Sequence, residues 1–283
     1  MPWLRVTKRN PCVICEKGDW CTYTDDGEIA NCMRIASDRP AKNGNGYIHR
    51  LKEPDAPEAP FRRRAPRPCP PPPRPAPKMA MSRLMIRWSA ATTFAQEQEL
   101  AQSLGVTVEA IRKLGASWSP SDNAWAFPMK DQHGATTGIR LRSMDGSKWA
   151  VKGSRSAMFL PSVDVKPGSL CLIPEGPTDT AACLAYGFYA IGRHACRCDM
   201  APIRAVLMEK RLLPVIVADN DPEKMVAGEL HRIGMEAAVA IGKALKMPHR
   251  IIVASGKDIR QMYQSDPDPA RVHTLVKHAK WRK

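Results

Sequence analysis

Carboxylates at the ends of two apolar runs carry the clearest chemical signal in this chain. The run Leu170-Cys171-Leu172-Ile173 stops at Glu175-Gly176, with Asp179 just beyond, and the run Pro214-Val215-Ile216-Val217-Ala218 stops at Asp219-Asn220-Asp221. Apolar runs of this length read as buried strands, and in an open parallel sheet the C-terminal strand ends face one crevice. Glu175, Asp219 and Asp221 are therefore expected to converge. Carboxylates held together repel one another unless divalent cations neutralise them, so a catalytic Mg2+ or Mn2+ held by these three residues is expected. Asp179, one turn into the following helix, is placed behind the ligands as a supporting hydrogen-bonding group. The competing reading makes Glu175, Asp219 and Asp221 ordinary helix caps.

A second set of ligand types lies near the N-terminus. Cys12-Val13-Ile14-Cys15 forms a turn that can aim two thiolates at one tetrahedral ion, and Cys21 and Cys32 complete four sulfur ligands for a structural Zn2+. The wide spacing of Cys21 and Cys32 departs from a plain double knuckle and leaves His49 as an alternative ligand; free or redox thiols are the competing reading. A segment this small has little core, so zinc binding, roughly 10–16 kcal/mol in apparent terms, would be its main source of stability. Trp20, Tyr23, Arg34, Lys42 and Arg50 form either a nucleic-acid surface or a solvated rim. Cys196 and Cys198, close to His194, lack the further ligand pair a second zinc site needs.

The elements that must position these groups follow from composition and period. Residues 53–80 hold 11 of the 26 prolines together with Arg62-Arg63-Arg64 and Cys69, and read as an extended spacer. From Met79 to about Ser119 the pattern is helical, with Gly105 and Gly115 as stops and Thr107 as an N-cap. Trp125 to Phe159 changes to strand period, with Asp145-Gly146 as a hairpin turn. There Ile139 and Leu141 point one way and Arg140 and Arg142 the other. With Lys148, Lys152 and Arg155 these arginines form either a basic floor for triphosphates or template, or a solvated face. From Pro167 onward strands over 169–174, 188–192, 214–219 and 250–254 alternate with helices over 178–186, 201–212, a long run ending near 246 and a last one after Asp268, as in a parallel α/β sheet. Residues 222–233 read as an extra loop or helix.

The formal charge of +15 divides as +3 for residues 1–52, +3 for 53–80, +4 for 81–168 and +5 for 169–283. Such an even spread suits a polyanionic partner lying across several segments, and equally a generally basic enzyme. No apolar stretch approaches the roughly 20 residues that span a bilayer, and Met1-Pro2-Trp3-Leu4-Arg5 does not start a signal peptide, so a cytoplasmic protein with no membrane partner is expected.

Glu175-Gly176-Pro177-Thr178-Asp179-Thr180-Ala181-Ala182 resembles the Glu-Gly-x-x-Asp-x-x-Ala signature of the Toprim domain, and Asp219-Asn220-Asp221 resembles its Asp-x-Asp signature. Gly256-Lys257-Asp258 resembles the Lys-Asp element of primase Toprim domains, although Arg260-Gln261 stands where a further acidic residue is usual. With an N-terminal zinc ribbon and the Trp125–Phe159 block, the chain resembles bacterial and phage-type DNA primases. The resemblance implies an α/β architecture: a zinc-binding ribbon over 1–52, a Pro/Arg-rich linker over 53–80, a mixed helical and antiparallel-strand subdomain over 81–168, and a Toprim-type parallel sheet over 169–283. It implies a nucleotidyltransferase that makes short RNA primers from ribonucleoside triphosphates on single-stranded DNA, with Glu175 as metal ligand or general acid/base and Lys257 and Asp258 in support. The alternatives are a Toprim-type nuclease and a non-catalytic zinc-ribbon factor that binds single-stranded DNA. No Gly-x-x-x-x-Gly-Lys-Ser/Thr motif occurs, which leaves a separate replicative helicase as a candidate partner, with Lys277 to Lys283 as one contact.

Overall fold

Short strands and tight turns build the cysteine-bearing segment. The computed structural model describes residues 3–41, 46–51, 78–196, 198–226 and 229–282, and the chain divides into two units, Met1–Pro70 and Pro71–Lys283. The proline-rich spacer up to residue 77, with Arg62, Arg63, Arg64 and Cys69, lies outside the described residues, as do Lys42 and Lys283. In the first unit β1 (Trp3–Arg5), β2 (Thr22–Thr24), β3 (Ile29–Cys32) and β4 (Tyr47–Arg50) form one antiparallel sheet in chain order. Its buried apolar cluster is Val6 with Cys12, Cys21 and Cys32. Three of the four residues in that cluster are thiols, so the segment depends on what those thiols bind.

The second unit begins with three helices, α1 (Lys78–Ala91), α2 (Phe94–Leu104) and α3 (Val108–Leu114). Thr93 and Gln96 form a capping box on α2, Thr107 accepts from the Ala110 amide on α3, and Gly105 and Gly115 close both helices in the left-handed conformation. The helical stretch stops at Leu114 instead of running to Ser119. Residues Ser117–Ser119 are a strand, β5, because Trp118 pairs across the sheet with Trp125, ring centroids 5.5 Å apart. Helix α1 starts at Lys78, inside the stretch expected as spacer.

Strands β5, β6 (Ala124–Lys130), β7 (Thr136–Arg142) and β8 (Lys148–Ala150) form an antiparallel sheet in that order. Ala124, Ala126, Ile139 and Leu141 cover Met81, Met85 and Trp88 of α1. Trp125, Phe127 and Met129 turn to the other side, into the main core. In register, Arg142 faces Trp125 and Arg140 faces Phe127, so the arginines share the core-side face and are half-buried there, which a solvated face would not give.

The remaining elements are β9 (Leu170–Ile173), α4 (Gly176–Ala185), β10 (Tyr189–Ala190), α5 (Ala201–Glu209), β11 (Leu213–Ala218), β12 (Lys224–Val226), β13 (Glu229–His231), α6 (Ile233–Leu245), β14 (Arg250–Val253), α7 (Ile259–Ser265) and α8 (Pro269–His278). Four of the strands make a parallel sheet in the order β10-β9-β11-β14. Side chains alternate across it: Leu172, Val215 and Val217 join α2, α3, α4, α7 and α8, while Cys171, Ile173, Ile216 and Ala218 join α5 and α6. Phe127 and Leu172 lie in the same core, so the two sheets are packed as one body within this unit. Residues 222–233 contain a small antiparallel pair, β12 with β13, where a loop or helix is expected from sequence. Among the described residues no helix is long and apolar enough to cross a membrane.

Candidate functional site

Each carboxylate owes its place to a strand that ends. Strand β9 stops at Ile173, and Glu175 follows as the N-cap residue of α4 in an extended conformation, with no hydrogen bond from its side chain to the helix. Its carboxylate is therefore not spent on capping. Gly176 takes φ +79 with open space where a side chain would stand, so the conformation, not crowding, calls for glycine. On the other side of β9, β10 leads into Gly192 and Arg193. Arg193 is paired in register with Glu175, and its buried guanidinium lies 3.7 Å from Glu175 Oε2. A Cβ on Gly192 would collide with the Thr180 hydroxyl of α4, so this close approach needs glycine.

Asp219 follows β11, the next strand over. The Asn220 amide donates to the Lys257 carbonyl (2.9 Å), tying the loop after β11 to the loop after β14. There Asp258 caps α7: its Oδ1 accepts from the Gln261 amide at 2.7 Å, and the Gln261 side chain accepts from the Lys257 amide at 2.7 Å. Asp258 is thus a helix cap, which the sequence reading did not foresee. For Glu175, where capping was the competing reading, the side chain makes no cap hydrogen bond.

Glu175, Asp179, Asp219 and Asp258 line one cleft of about 440 Å³ together with His194, and Arg140, Arg142, Lys148, Lys257 and Arg260 supply its positive wall. Burial, with Asp258 and Asp219 nearby, pushes the Asp179 carboxyl up to about 8; its Oδ1 is buried without a hydrogen-bond partner. Burial, with Glu175, Asp221 and Asp258 nearby, pushes Asp219 up to about 6. Burial is the larger cause of both shifts and the neighbouring carboxylates the smaller; the oxygens are of the kind a hard divalent cation takes, although among the described residues only the four cysteines bring three or more ligand atoms within 4.8 Å of one another. Asp221 is half-exposed and reaches the group through its charge on Asp219, without lining the cleft. Of the expected basic floor, Arg140, Arg142 and Lys148 line the cleft. Lys152 is exposed and does not line it, and Arg155 lines a neighbouring cavity instead.

Arg193 and His194 also belong to this site, although no motif points to them. They follow a strand of only two residues, and parallel pairing of β10 on β9 brings them to Glu175. Burial, with Arg140 nearby, lowers His194 below the usual imidazole value, and its carbonyl accepts from Arg140 Nη2 at 3.4 Å. A positive residue straight after the glycine that ends an apolar run is the one available signal.

In the first unit the sulfurs of Cys12, Cys15, Cys21 and Cys32 all lie within 4.8 Å of one another. The Met33 and Ile35 amides donate to Cys21 and Cys32 sulfurs at 3.4 and 3.3 Å, and Arg34 Nη1 lies 3.9 Å from Cys15 sulfur. These donors suit thiolates. Burial pushes the Cys21 thiol up to about 12, so four thiolates need a cation among them, and the set fits a tetrahedral soft-ligand metal. His49 donates through Nε2 to the Ile35 carbonyl at 3.0 Å and is not part of the cluster. Trp20 is 73% exposed, and Arg34 pairs with Asp19 at 2.9 Å.

No family model and no curated protein matches the sequence. Solved structures do share its fold. The chain is similar to a DnaG catalytic core (TM-score 0.56, 14% identity, 72% of this chain and 80% of that one). It is also similar to a DnaG primase catalytic domain bound to single-stranded DNA (0.53, 13%, 72% and 78%). A third likeness is to an Aquifex aeolicus primase fragment with zinc-binding and RNA polymerase domains (0.52, 14%, 72% and 61%).

Proposed function

We propose that this chain, which has the fold of bacterial primase catalytic cores, is a DNA primase that joins ribonucleotides on a single-stranded DNA template. The observation that carries the reading is the cleft itself. Strand-end carboxylates Glu175 and Asp219 stand opposite Arg140, Arg142 and Lys148 of a separate sheet, the arrangement that holding a phosphate chain against metal ligands requires. In this reading 169–283 is the Toprim-type catalytic domain, 81–168 supplies the basic wall, and 1–52 is a zinc ribbon held by Cys12, Cys15, Cys21 and Cys32.

Glu175, Asp219 and Asp221 would hold Mg2+ or Mn2+, which when bound supplies an activated attacking oxygen and neutralises the departing pyrophosphate. Arg140, Arg142 and Lys148 orient the phosphates, and the half-burial of the two arginines strengthens their contacts relative to open water. Arg193 fixes the Glu175 carboxylate from behind, held in turn by the Ala195 and Cys196 carbonyls at 3.4 and 3.2 Å.

Labelled ribonucleotides, magnesium and a broad set of single-stranded templates test the reading directly. Wild type is expected to make template-dependent RNA oligomers, and Asp219→Ala to make none while keeping its folded circular-dichroism signal. Equal product from both proteins, or none from wild type on any template, overturns it. Template cleavage in the same tube would assign a nuclease.

A further inference from the structure

Three elements meet at the end of the parallel sheet opposite the carboxylate cleft. The cleft lies past the C-terminal ends of β9 and β11, whereas β14 starts at Arg250, at the other end. That start is pinned from both sides. A Cβ on Gly242 of α6 would strike the His249 ring, so the end of α6 lies against it. The Arg250 guanidinium reaches the end of α8, its Nη1 donating to the Val276 carbonyl at 2.5 Å. The chain beyond α8 then returns to the same place: the His249 amide donates to the Arg282 carbonyl at 3.0 Å, and the Arg282 amide to the His249 carbonyl at 2.8 Å.

That return lays Trp281 on Arg250, with the guanidinium carbon 4.7 Å from the ring centroid. The indole is 47% exposed, so one face is held and the other is open. Around it the surface is cationic. Lys243 and Lys246 at the end of α6, Lys277 at the end of α8, and Lys280 and Arg282 beside the ring are all exposed. Residues 237–257 and 269–283 contain no aspartate or glutamate. Among the described residues none of these cations takes part in an ion pair. An aromatic face open to water and a group of like charges are each unfavourable alone. Single-stranded nucleic acid answers both, with unpaired bases that stack and phosphates that neutralise.

We propose that this surface is a second binding site for single-stranded nucleic acid, a base stacking on the open face of Trp281 and backbone phosphates pairing with Lys277, Lys280 and Arg282. A duplex fits less well, because its bases are already stacked on one another. The site stands at the far end of the sheet from the metal-binding carboxylates, so it holds strand outside the stretch that reacts. The binding itself is independent of the primase reading; only the identification of that strand as template rests on it.

Anisotropy of a labelled oligothymidylate, measured across a salt series in magnesium-free buffer where no primer is made, tests the site in the full chain. Wild type is compared with Trp281→Phe, Trp281→Leu and the double variant Lys277→Gln with Lys280→Gln, each first shown to melt at the wild-type temperature. Trp281→Leu keeps bulk over Arg250 and loses the stacking face, so it is expected to bind about tenfold more weakly, with Trp281→Phe close to wild type. The lysine variant should reduce the slope of log affinity against log salt by about 1.4, as for two phosphates of a single strand. Unchanged affinity in Trp281→Leu, or an unchanged slope in the lysine variant, overturns the proposal. So does an equal loss for a hairpin duplex, which would assign a general polyanion surface, or for poly-glutamate, which would assign an acidic protein partner. A wild type that binds in this way and makes no primer on any template keeps the site and removes only the template assignment.

Discussion

Asp179 is the side chain in the cleft whose position costs most in the absence of a cation: 9% exposed, one oxygen unpartnered, and facing Asp258 and Asp219. Its folded-state pKa is raised from 3.8 to about 8, so the folded state favours the neutral acid. In magnesium-free buffer the stability associated with this group is fully present below pH 4 and is lost as pH rises through 8. Asp179→Asn should therefore flatten the decline in melting temperature between pH 5 and pH 8. Each kcal/mol recovered at pH 8 is worth about 2–4 °C in a unit of this size. Parallel melting curves for the two proteins across that range would remove the assignment. Glu175 and Asp219 were legible in the sequence because each ends an apolar run, and a run of that kind has one place in a parallel sheet. Arg193 was not, because its role comes from a pairing partner distant in the chain and not from its neighbours.

Helices were legible where glycine and a hydroxyl marked both ends, as in α3 between Thr107 and Gly115. Helix α7, with seven residues, is too short to show a period, and the three-residue strands β12 and β13 too short to show alternation. Yet α7 bears on the site, because its cap Asp258 has two separable jobs: it accepts the Gln261 amide, and it adds charge beside Asp179 and Asp219. Asparagine caps a helix as well as aspartate does, while alanine does not. Asp258→Ala is expected to lose about 1 kcal/mol in denaturant unfolding and Asp258→Asn to stay near wild type. Both should need severalfold more magnesium for half-maximal primer synthesis, because both remove the charge. If the magnesium requirement follows stability instead, rising in Ala and not in Asn, Asp258 is a cap and nothing more.

The order of strands and helices in the described residues and the cysteine set were readable from the sequence; the packing of the antiparallel and parallel sheets through Phe127 and Leu172 was not, since each is apolar in its own right and nothing local names its partner. The first unit poses the opposite case, since it has almost no core to read. Its buried cluster is one valine and three cysteines, against a second unit whose main core includes Trp125, Phe127, Leu172 and Val215. Apparent zinc affinity of roughly 10–16 kcal/mol exceeds what burial of one valine, about 1.5–3 kcal/mol, could replace. Stripping the metal, or replacing Cys32 with serine, should therefore collapse the dispersed amide resonances of residues 3–51 and leave those of residues 78–282 in place. Elemental analysis should give one zinc per chain for wild type and none for Cys32→Ser. Amide dispersion surviving in the first unit without zinc would mean that its strand pairing, not the metal, holds the fold, and the four-thiolate assignment would lose its energetic basis.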